Sequence, residues 1–307
     1  MRVAIYGGAG FIGRPLARSL LEAKHDVMIF DNLEVEPAEP IPKGAVFTKL
    51  NCRRKRPLKK SLWDHRPEVI FWLVAKQGYS NEWQNFGKNN VAAIYGLLEV
   101  IQRSEGWRPK KIILASSQAV YFPGEDVWTH DIRNPPSVYG FSKMQQEEAF
   151  LTLCNWLRLP SIALRYSIVL GQGQSMQSGE SGILRNWFRA YKKRQSPIIY
   201  GHGEQVRDFV HVEDVTEANI KAMLYNGPDR IFNIHGFKAS INEMASIFQE
   251  ATNCLPPMAS GSDVRPGGEF TLWSNGEETK KQLGWEPKLG LKTQVQDFLV
   301  SASRAAH

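Results

Sequence analysis

Two residues one helical turn apart, Tyr139 and Lys143 in Ser137-Val138-Tyr139-Gly140-Phe141-Ser142-Lys143, give the first chemical signal in the chain. On a helix, positions i and i+4 share a face, so the phenol and the ammonium lie together. A free tyrosine has a pKa near ~10 and is a poor base at neutral pH, but a neighbouring cation favours the phenolate and lets it take a proton from a hydroxyl. The spacing alone is common on helices. A second hydroxyl strengthens it: Ile112-Ile113-Leu114-Ala115-Ser116-Ser117 reads as a buried strand ending in serines, and strand C-terminal ends are where open α/β sheets bind ligands. Ser117 either caps that strand end or hydrogen-bonds a reacting oxygen.

Gly7-Gly8-Ala9-Gly10-Phe11-Ile12-Gly13 follows the first strand directly and satisfies a dinucleotide fingerprint through Gly8, Gly10 and Gly13, or through Gly7, Gly10 and Gly13. Glycine lets the backbone approach a pyrophosphate, whose charge is held by free N–H groups and the positive end of the next helix. Asp31 closes the second strand 18 residues after Gly13. A carboxylate there accepts hydrogen bonds from ribose hydroxyls and repels a 2′-phosphate, which favours NAD over NADP. Arg14, close to the loop, is the contrary sign.

These residues need a scaffold, and the pattern supplies one. Strand-like runs at Arg2–Tyr6, Asp26–Phe30, Val69–Val74, Lys111–Ala115 and Ser161–Arg165 alternate with helical stretches at Ile12–Ala23, Asn90–Arg103 and Val138–Leu157. Such alternation predicts an α/β fold, a Rossmann-type doubly wound parallel sheet with a smaller C-terminal substrate-binding domain. The polar stretch after Gly171 marks the boundary. Residues 1–170 plus about 207–235 are expected to bind the cofactor, and 171–206 plus 236–307 the substrate.

With these motifs in place, the chain resembles an extended short-chain dehydrogenase/reductase of the nucleotide-sugar epimerase and dehydratase branch, nearly from end to end. The glycine loop resembles that family's nucleotide loop, Asp31-Asn32-Leu33 its ribose site, Ala115 to Tyr121 its serine strand, and Tyr139 to Lys143 its tyrosine–lysine pair. Gly203 to Val215, containing Arg207-Asp208-Phe209-Val210-His211, resembles a long late motif. The resemblance implies that Ser117, Tyr139 and Lys143 are catalytic. It implies that NAD meets Gly7, Gly10, Phe11, Ile12, Gly13, Asp31 and Asn32, with Asn51 and Cys52 at the adenine. Leu73, Ala75, Asn90, Tyr139, Lys143 and Tyr166 would meet its nicotinamide half.

A nucleotide-diphosphate sugar is the implied substrate. Arg207 and Arg265 match the positions whose guanidinium forks hold its diphosphate, with Lys76, Gln118 and Gln174 lining the rest. Several positions depart from the family pattern: Tyr6 replaces a threonine, Trp72 a histidine, Ile168 an amide residue, and Asn51-Cys52 stand at an acid–aliphatic pair. Lys76 adds a positive charge near the cofactor rim. His211 reads as structural, since no second ligand lies at metal spacing, and no metal is expected.

Dehydratases of this branch carry acids just after the catalytic hydroxyl, where Gln118 and Ala119 stand here. Without that proton donor, oxidation and re-reduction at one carbon is the simpler use of the site, so a 4-epimerase is expected. A 4,6-dehydratase or 4-ketoreductase is the alternative, and a non-catalytic nucleotide- or RNA-binding relative a further one. Family members often pair through the helices at 90–103 and 138–157, so the resemblance also implies a homodimer.

Composition sets the outer limits. The chain has 307 residues, 42% hydrophobic and 22% charged, which excludes disordered, collagenous and coiled-coil classes. Its longest apolar run, Val69–Ala75, is far short of the ~20 residues needed to span a bilayer. The first residues read as a strand rather than an export signal. Cys52, Cys154 and Cys254 are odd in number and far apart, which supports neither disulfides nor zinc, and a cytoplasmic protein is expected. The net charge is +7, and the run Arg53 to Lys60 alone carries six cations. With no aromatics interleaved, that run reads as a solvated loop or helix face rather than a nucleic-acid patch.

Overall fold

Continuous apolar strands have to be covered on both faces, and here they are. The structure is a computed structural model describing residues 1–77, 83–176, 182–261 and 270–304. Among these, β1 (Arg2–Tyr6), β2 (Asp26–Asp31), β3 (Val46–Lys49), β4 (Val69–Trp72), β5 (Lys111–Ser117), β7 (Ser161–Tyr166) and β11 (Ile231–Ile234) form a sheet ordered β11-β7-β5-β4-β1-β2-β3. Its recorded pairings are parallel. A smaller sheet runs β12-β10-β14-β6 through β6 (Gly124–Val127), β10 (Val206–His211), β12 (Phe237–Ser240) and β14 (Leu272–Ser274), with β8 (Ile168–Leu170) paired to β10. A short ribbon joins β9 (Ile198–Ile199) to β13 (Met258–Ala259).

The helices are α1 (Gly13–Glu22), α2 (Lys55–His65), α3 (Trp83–Phe86), α4 (Ala92–Gln102), α5 (Val138–Trp156), α6 (Ile183–Lys192), α7 (Val212–Leu224), α8 (Ile241–Thr252), α9 (Glu277–Leu283) and α10 (Leu291–Arg304). Successive strand residues point to opposite faces, and the cores divide accordingly. Ala4, Tyr6, Phe30, Ile70 and Trp72 pack under Leu58 and Leu62 of α2 and Ile94 and Leu97 of α4. Val3, Ile5, Ile29, Val69 and Phe71 pack under Leu16 and Leu20 of α1 and Val215 and Ala218 of α7. A third core joins Trp187 of α6, Phe248 of α8 and Phe298 of α10 to Phe209 of β10. This is the expected Rossmann-type architecture. Strand order reverses between β1 and β4, and that switch point opens the crevice where such sheets bind ligands.

The details differ from expectation in three places. The helix expected from Asn90 begins with a π-helical turn, Gly87–Val91, before α4 takes over at Ala92. β4 stops at Trp72 rather than Val74, whereas β5 ends in its serine pair at Ser117, as the sequence reads. Sheet membership also cuts across the expected division: β6 lies within 1–170 and β10 overlaps 207–235, yet both belong to the smaller sheet. An apolar run such as Phe209-Val210-His211 fits either sheet, and only its partners β12, β14 and β8 decide. The basic run forms the start of α2, a solvated helix face on which Lys55 pairs with Glu99 and Lys60 with Asp64. Lys59 lies over the Trp63 ring at 4.0 Å.

Two departures from the family pattern are neighbours. Tyr6 and Trp72 are register partners across β1 and β4, their rings 5.2 Å apart, and Tyr6 also stacks on Phe30 at 4.8 Å. The Tyr6 hydroxyl is within 2.8 Å of Ser61 Oγ on α2. Both rings fill one core, so the exchange is one of packing.

α5 begins at an N-cap, Ser137, whose Oγ accepts the Gly140 N–H at 3.0 Å. The helix meets the end of β5 at Gly140, where a Cβ would lie 2.1 Å from Ala119 O and 2.8 Å from Pro135 Cβ. Only glycine admits that approach. Gly140→Ala is expected to cost about 1–3 kcal/mol through forced displacement of the two segments. The shift in denaturant midpoint checks this, and an unchanged midpoint contradicts it.

Candidate active site

After Tyr6 the chain turns at once. Gly7 adopts φ +79° and donates its N–H to Phe30 O at 2.8 Å, and the Gly10 N–H donates to Gly7 O at 3.3 Å. A Cβ at Gly13 would fall 2.5 Å from Gly8 Cα, and one at Gly7 would fall 3.0 Å from the carbonyl carbon of Leu73. The loop is thus pressed between β4 and α1 with bare backbone outward. No side chain caps the start of α1, and its first turn holds no acid, so the positive end of the helix is offered to an anion. Phe11 and Ile12, half-buried, cover the turn.

The Asp31 carboxylate accepts the Ala9 N–H at 3.1 Å and the Leu33 N–H at 2.9 Å. Burial raises its pKa, and those backbone bonds pull the other way. Asn32 Oδ1 accepts the Glu34 N–H at 3.0 Å. Arg14 is 2% exposed. Its donors go to backbone carbonyls: Gly10 O at 3.3 Å, Glu39 O at 2.9 Å and Gly173 O at 2.6 Å. With its guanidinium so committed, Arg14 offers nothing to a 2′-phosphate. The tight glycine cradle, the uncapped helix start and the Asp31 carboxylate fit a dinucleotide with a free 2′-hydroxyl.

Beyond the ribose position, Asn51 Oδ1 accepts the Arg53 N–H at 3.0 Å. The Cys52 thiol is buried and pushed up to about 12, mainly by that burial, so it packs rather than reacts. Tyr166 is turned inward, its hydroxyl donating to Asn219 Oδ1 at 2.9 Å.

β5 delivers Ser117 as the N-cap of a one-turn 3₁₀ helix, Gln118–Val120, its Oγ accepting the Ala119 N–H at 3.1 Å. The capping and reactive readings coexist, since a lone pair is used while the O–H remains able to donate. Through the Gly140 contact this turn sits on the first turn of α5, which carries Tyr139. Tyr139 is half-buried, 6.3 Å edge-on from Phe86, and near the positive end of its helix, where an anion is favoured. Lys143, one turn on, is 1% exposed, with Nζ donating to Ala115 O at 2.6 Å and to Gln146 Oε1. Burial pushes this ammonium down to about 7, and Glu147 opposes the fall.

The loop after β4 is sewn to the same helix. Asn90, in the π-helical turn, accepts the Lys76 N–H at 2.7 Å and donates to Lys76 O at 3.1 Å and to Ser142 Oγ at 2.8 Å. Ser142 Oγ in turn donates to Tyr139 O at 2.7 Å, and Gln146 Nε2 donates to Asn90 O at 2.8 Å. The Asn90 side chain therefore joins the Leu73–Lys76 segment to α5. Neither Gln146 nor Ser142 was flagged by motif spacing. The only sequence signal for Gln146 is its position three residues beyond Lys143.

On the substrate side, Arg207 on β10 donates to Val206 O at 3.0 Å. Its neighbour Asp208 is 1% exposed, receives Ser274 Oγ at 3.2 Å and lies beside Gln118. Burial raises its carboxyl to about 6. The amide of Gln174 lies against Gly182 at the start of α6. His211 caps α7 by accepting the Glu213 N–H at 3.1 Å, a structural task. Arg265 lies outside the described residues.

Residues 3–234 match the family model described as the NAD dependent epimerase/dehydratase family. A Methanocaldococcus jannaschii protein, provisionally named a UDP-glucose 4-epimerase, is 32% identical over 96% of each chain. Among solved structures, the Thermotoga maritima UDP-glucose 4-epimerase with UDP-glucose is similar at TM-score 0.91 and 27% identity, covering 100% of both chains. The Thermus thermophilus UDP-glucose 4-epimerase in complex with NAD is similar at TM-score 0.87 and 25% identity, covering 98% of both. Matched by that model over residues 3–234 and by a relative 32% identical along nearly its whole length, this chain belongs to the NAD-dependent epimerase/dehydratase family.

Proposed function

We propose that the protein is an NAD-dependent 4-epimerase of a nucleotide-diphosphate sugar. The observation that carries this reading is the docking of the Ser117 turn onto Gly140, which joins the strand-end hydroxyl to the helix of Tyr139 and Lys143. Tyr139 takes the proton of the sugar 4-hydroxyl while the Ser117 hydroxyl donates a hydrogen bond to the same oxygen. The Lys143 ammonium stabilises the phenolate that precedes this step. Bound at the glycine loop and Asp31, NAD would supply a hydride acceptor for oxidation at C4 and, once reduced, the hydride for re-reduction. Tyr139 then gives its proton back to the new alkoxide.

The substrate has to turn between the two transfers without leaving. Arg207, together with Arg265, is assigned to the diphosphate, which keeps the keto sugar tethered. Single-carbon chemistry follows from Gln118 and Ala119 carrying no acid. The nearby Asp208 carboxyl is buried behind Gln118 and bonded to Ser274, so it does not supply the proton donor that loss of water requires. Curated relatives named for 4-epimerisation support the same choice.

A homodimer formed through α4 and α5 completes the proposal. Val91, Tyr95, Met144, Glu148 and Thr152 line one groove on that face, and Tyr95 and Phe141 are about half exposed on these helices. No helix among the described residues is long and apolar enough to cross a membrane.

Incubated with UDP-, dTDP-, CDP- and GDP-hexoses and NAD, the protein should convert one of them to its C4 epimer by NMR. Tyr139→Phe should abolish turnover with NAD binding retained; a 4-keto-6-deoxy product instead identifies a dehydratase. Calorimetric titration should show NAD bound more tightly than NADP. Asp31→Asn, which removes the repulsive charge, should narrow that ratio by roughly tenfold, about 1.4 kcal/mol; an unchanged ratio removes Asp31 from cofactor selection. By light scattering the mass should be twice that of the chain and fall to one chain in Tyr95→Arg.

A further inference from the structure

No step above uses Glu147, although it is fully buried one turn beyond Lys143 on α5. Its Oε2 accepts Ser116 Oγ at 2.6 Å, and Arg165 Nε reaches Oε2 at 3.0 Å and Oε1 at 3.2 Å. Arg133 Nη1 reaches Oε1 at 3.3 Å. The two arginines are otherwise engaged: Arg133 with Glu148 at 2.7 Å, Arg165 with Tyr121 Oη at 2.7 Å and Thr129 O at 2.8 Å. The charged and titratable groups around this end of the pocket are therefore Glu147 and Tyr139 from α5, Arg165 from β7, and Arg133 and Tyr121 from the segments between β5 and α5. β5 contributes the neutral Ala115 carbonyl and Ser116, and the π-helical turn the neutral Asn90.

Within this group one buried carboxylate is bonded to the buried Arg165 and stands one helical turn from the buried Lys143 ammonium. An arginine keeps its proton throughout the working pH range, whereas a buried lysine releases its own when compensation fails. Loss of Glu147 would thus fall on Lys143. The carboxylate acts at a second point as well, because Ser116 adjoins Ser117 and its hydroxyl fixes the end of β5.

Resting on the epimerase reading, we propose that Glu147 is a positioning residue for the reaction. Its carboxylate, shared by Arg165 and Ser116, keeps the Lys143 ammonium charged and holds the strand end that presents Ser117 to Tyr139. The companion reading, in which Glu147 is only the ion-pair partner of Arg165, predicts no effect on Lys143.

Lysine isotope-labelled at Cε reports the titration of Lys143 by NMR, its signal identified by its loss in Lys143→Met. In Glu147→Gln the titration is expected to fall by about one pH unit or more, and the alkaline limb of the kcat profile to move down with it while KM holds. Glu147→Asp keeps the charge and should recover most of both. Because Glu147→Gln leaves Arg165 buried and unpaired, it can fail to fold; Glu147→Gln/Arg165→Met removes both charges. There the fall should persist, since both variants lack the carboxylate one helical turn from Lys143. An unchanged Lys143 titration in the variants that fold, with activity lost equally at every pH, overturns the proposal. A shifted Lys143 titration in a protein that turns over no sugar nucleotide supports the Glu147 assignment and counts against the epimerase reading.

Discussion

Lys143 is buried, and the acceptors its amino group needs organise the ligand end of the sheet. An ammonium withdrawn from water costs several kcal/mol unless acceptors replace its hydration. Ala115 O and Gln146 Oε1 are those acceptors here. Each fixes something else: Ala115 lies two residues before Ser117, and Gln146 donates its amide to Asn90 O. Asn90 continues the chain of bonds to both backbone groups of Lys76 and, through Ser142, to Tyr139 O. The π-helical turn at Gly87–Val91 is the local irregularity that carries Asn90 into this network, and such turns recur at functional sites. The end of β5, helix α5 and the loop after β4 are thereby tied by one set of satisfied polar groups.

A second buried cation ties the cofactor loop to the smaller lobe. Arg14 bonds three carbonyls from separate stretches of chain, at Gly10, Glu39 and Gly173. Gly173 is in turn anchored by its N–H on Ser301 Oγ of α10 at 2.8 Å. Because Gly173 adopts φ +89° with Arg14 Nη2 only 3.1 Å from where a Cβ would sit, the segment after β8 passes close over the guanidinium. The geometry that holds the glycine loop thus also sets where the substrate-side segment begins. An arginine read as a sign of 2′-phosphate binding is a clamp between the two halves.

What could be read in the sequence was what local spacing determines. The glycine loop, the aspartate at the end of β2, and Tyr139 with Lys143 depend on contacts within a few residues or on one βαβ unit. Sequence periodicity, accordingly, captured the five inner strands of the main sheet and the long helix α5, but not the sheet's edge strands β3 and β11. Partners brought together by the fold were invisible: Arg165 with Glu147, Arg14 with Gly173, and β10 with β12 rather than with the large sheet. Apolar runs buried on both faces carry no signature of which sheet they join. The inward turns of Asn90 and Tyr166 were hidden for the same reason, since each is fixed by a distant group, Ser142 or Asn219.

Departures from the family pattern therefore have to be sorted by where their side chains end before they are given chemical meaning. Tyr6 and Trp72 look like two changes at the cofactor rim, yet they are register partners filling the core beneath α2 and α4. The two large rings pack against each other, and neither is exposed. Gln118 is the opposite case. It follows the reactive hydroxyl directly and lies beside Asp208, whose chain neighbour is Arg207. A carboxylate at position 118 would face the buried Asp208 at close range, and two such groups cannot both ionise cheaply. The neutral amide relieves that conflict, so the residue after the serine strand end is set in part by its packing against β10.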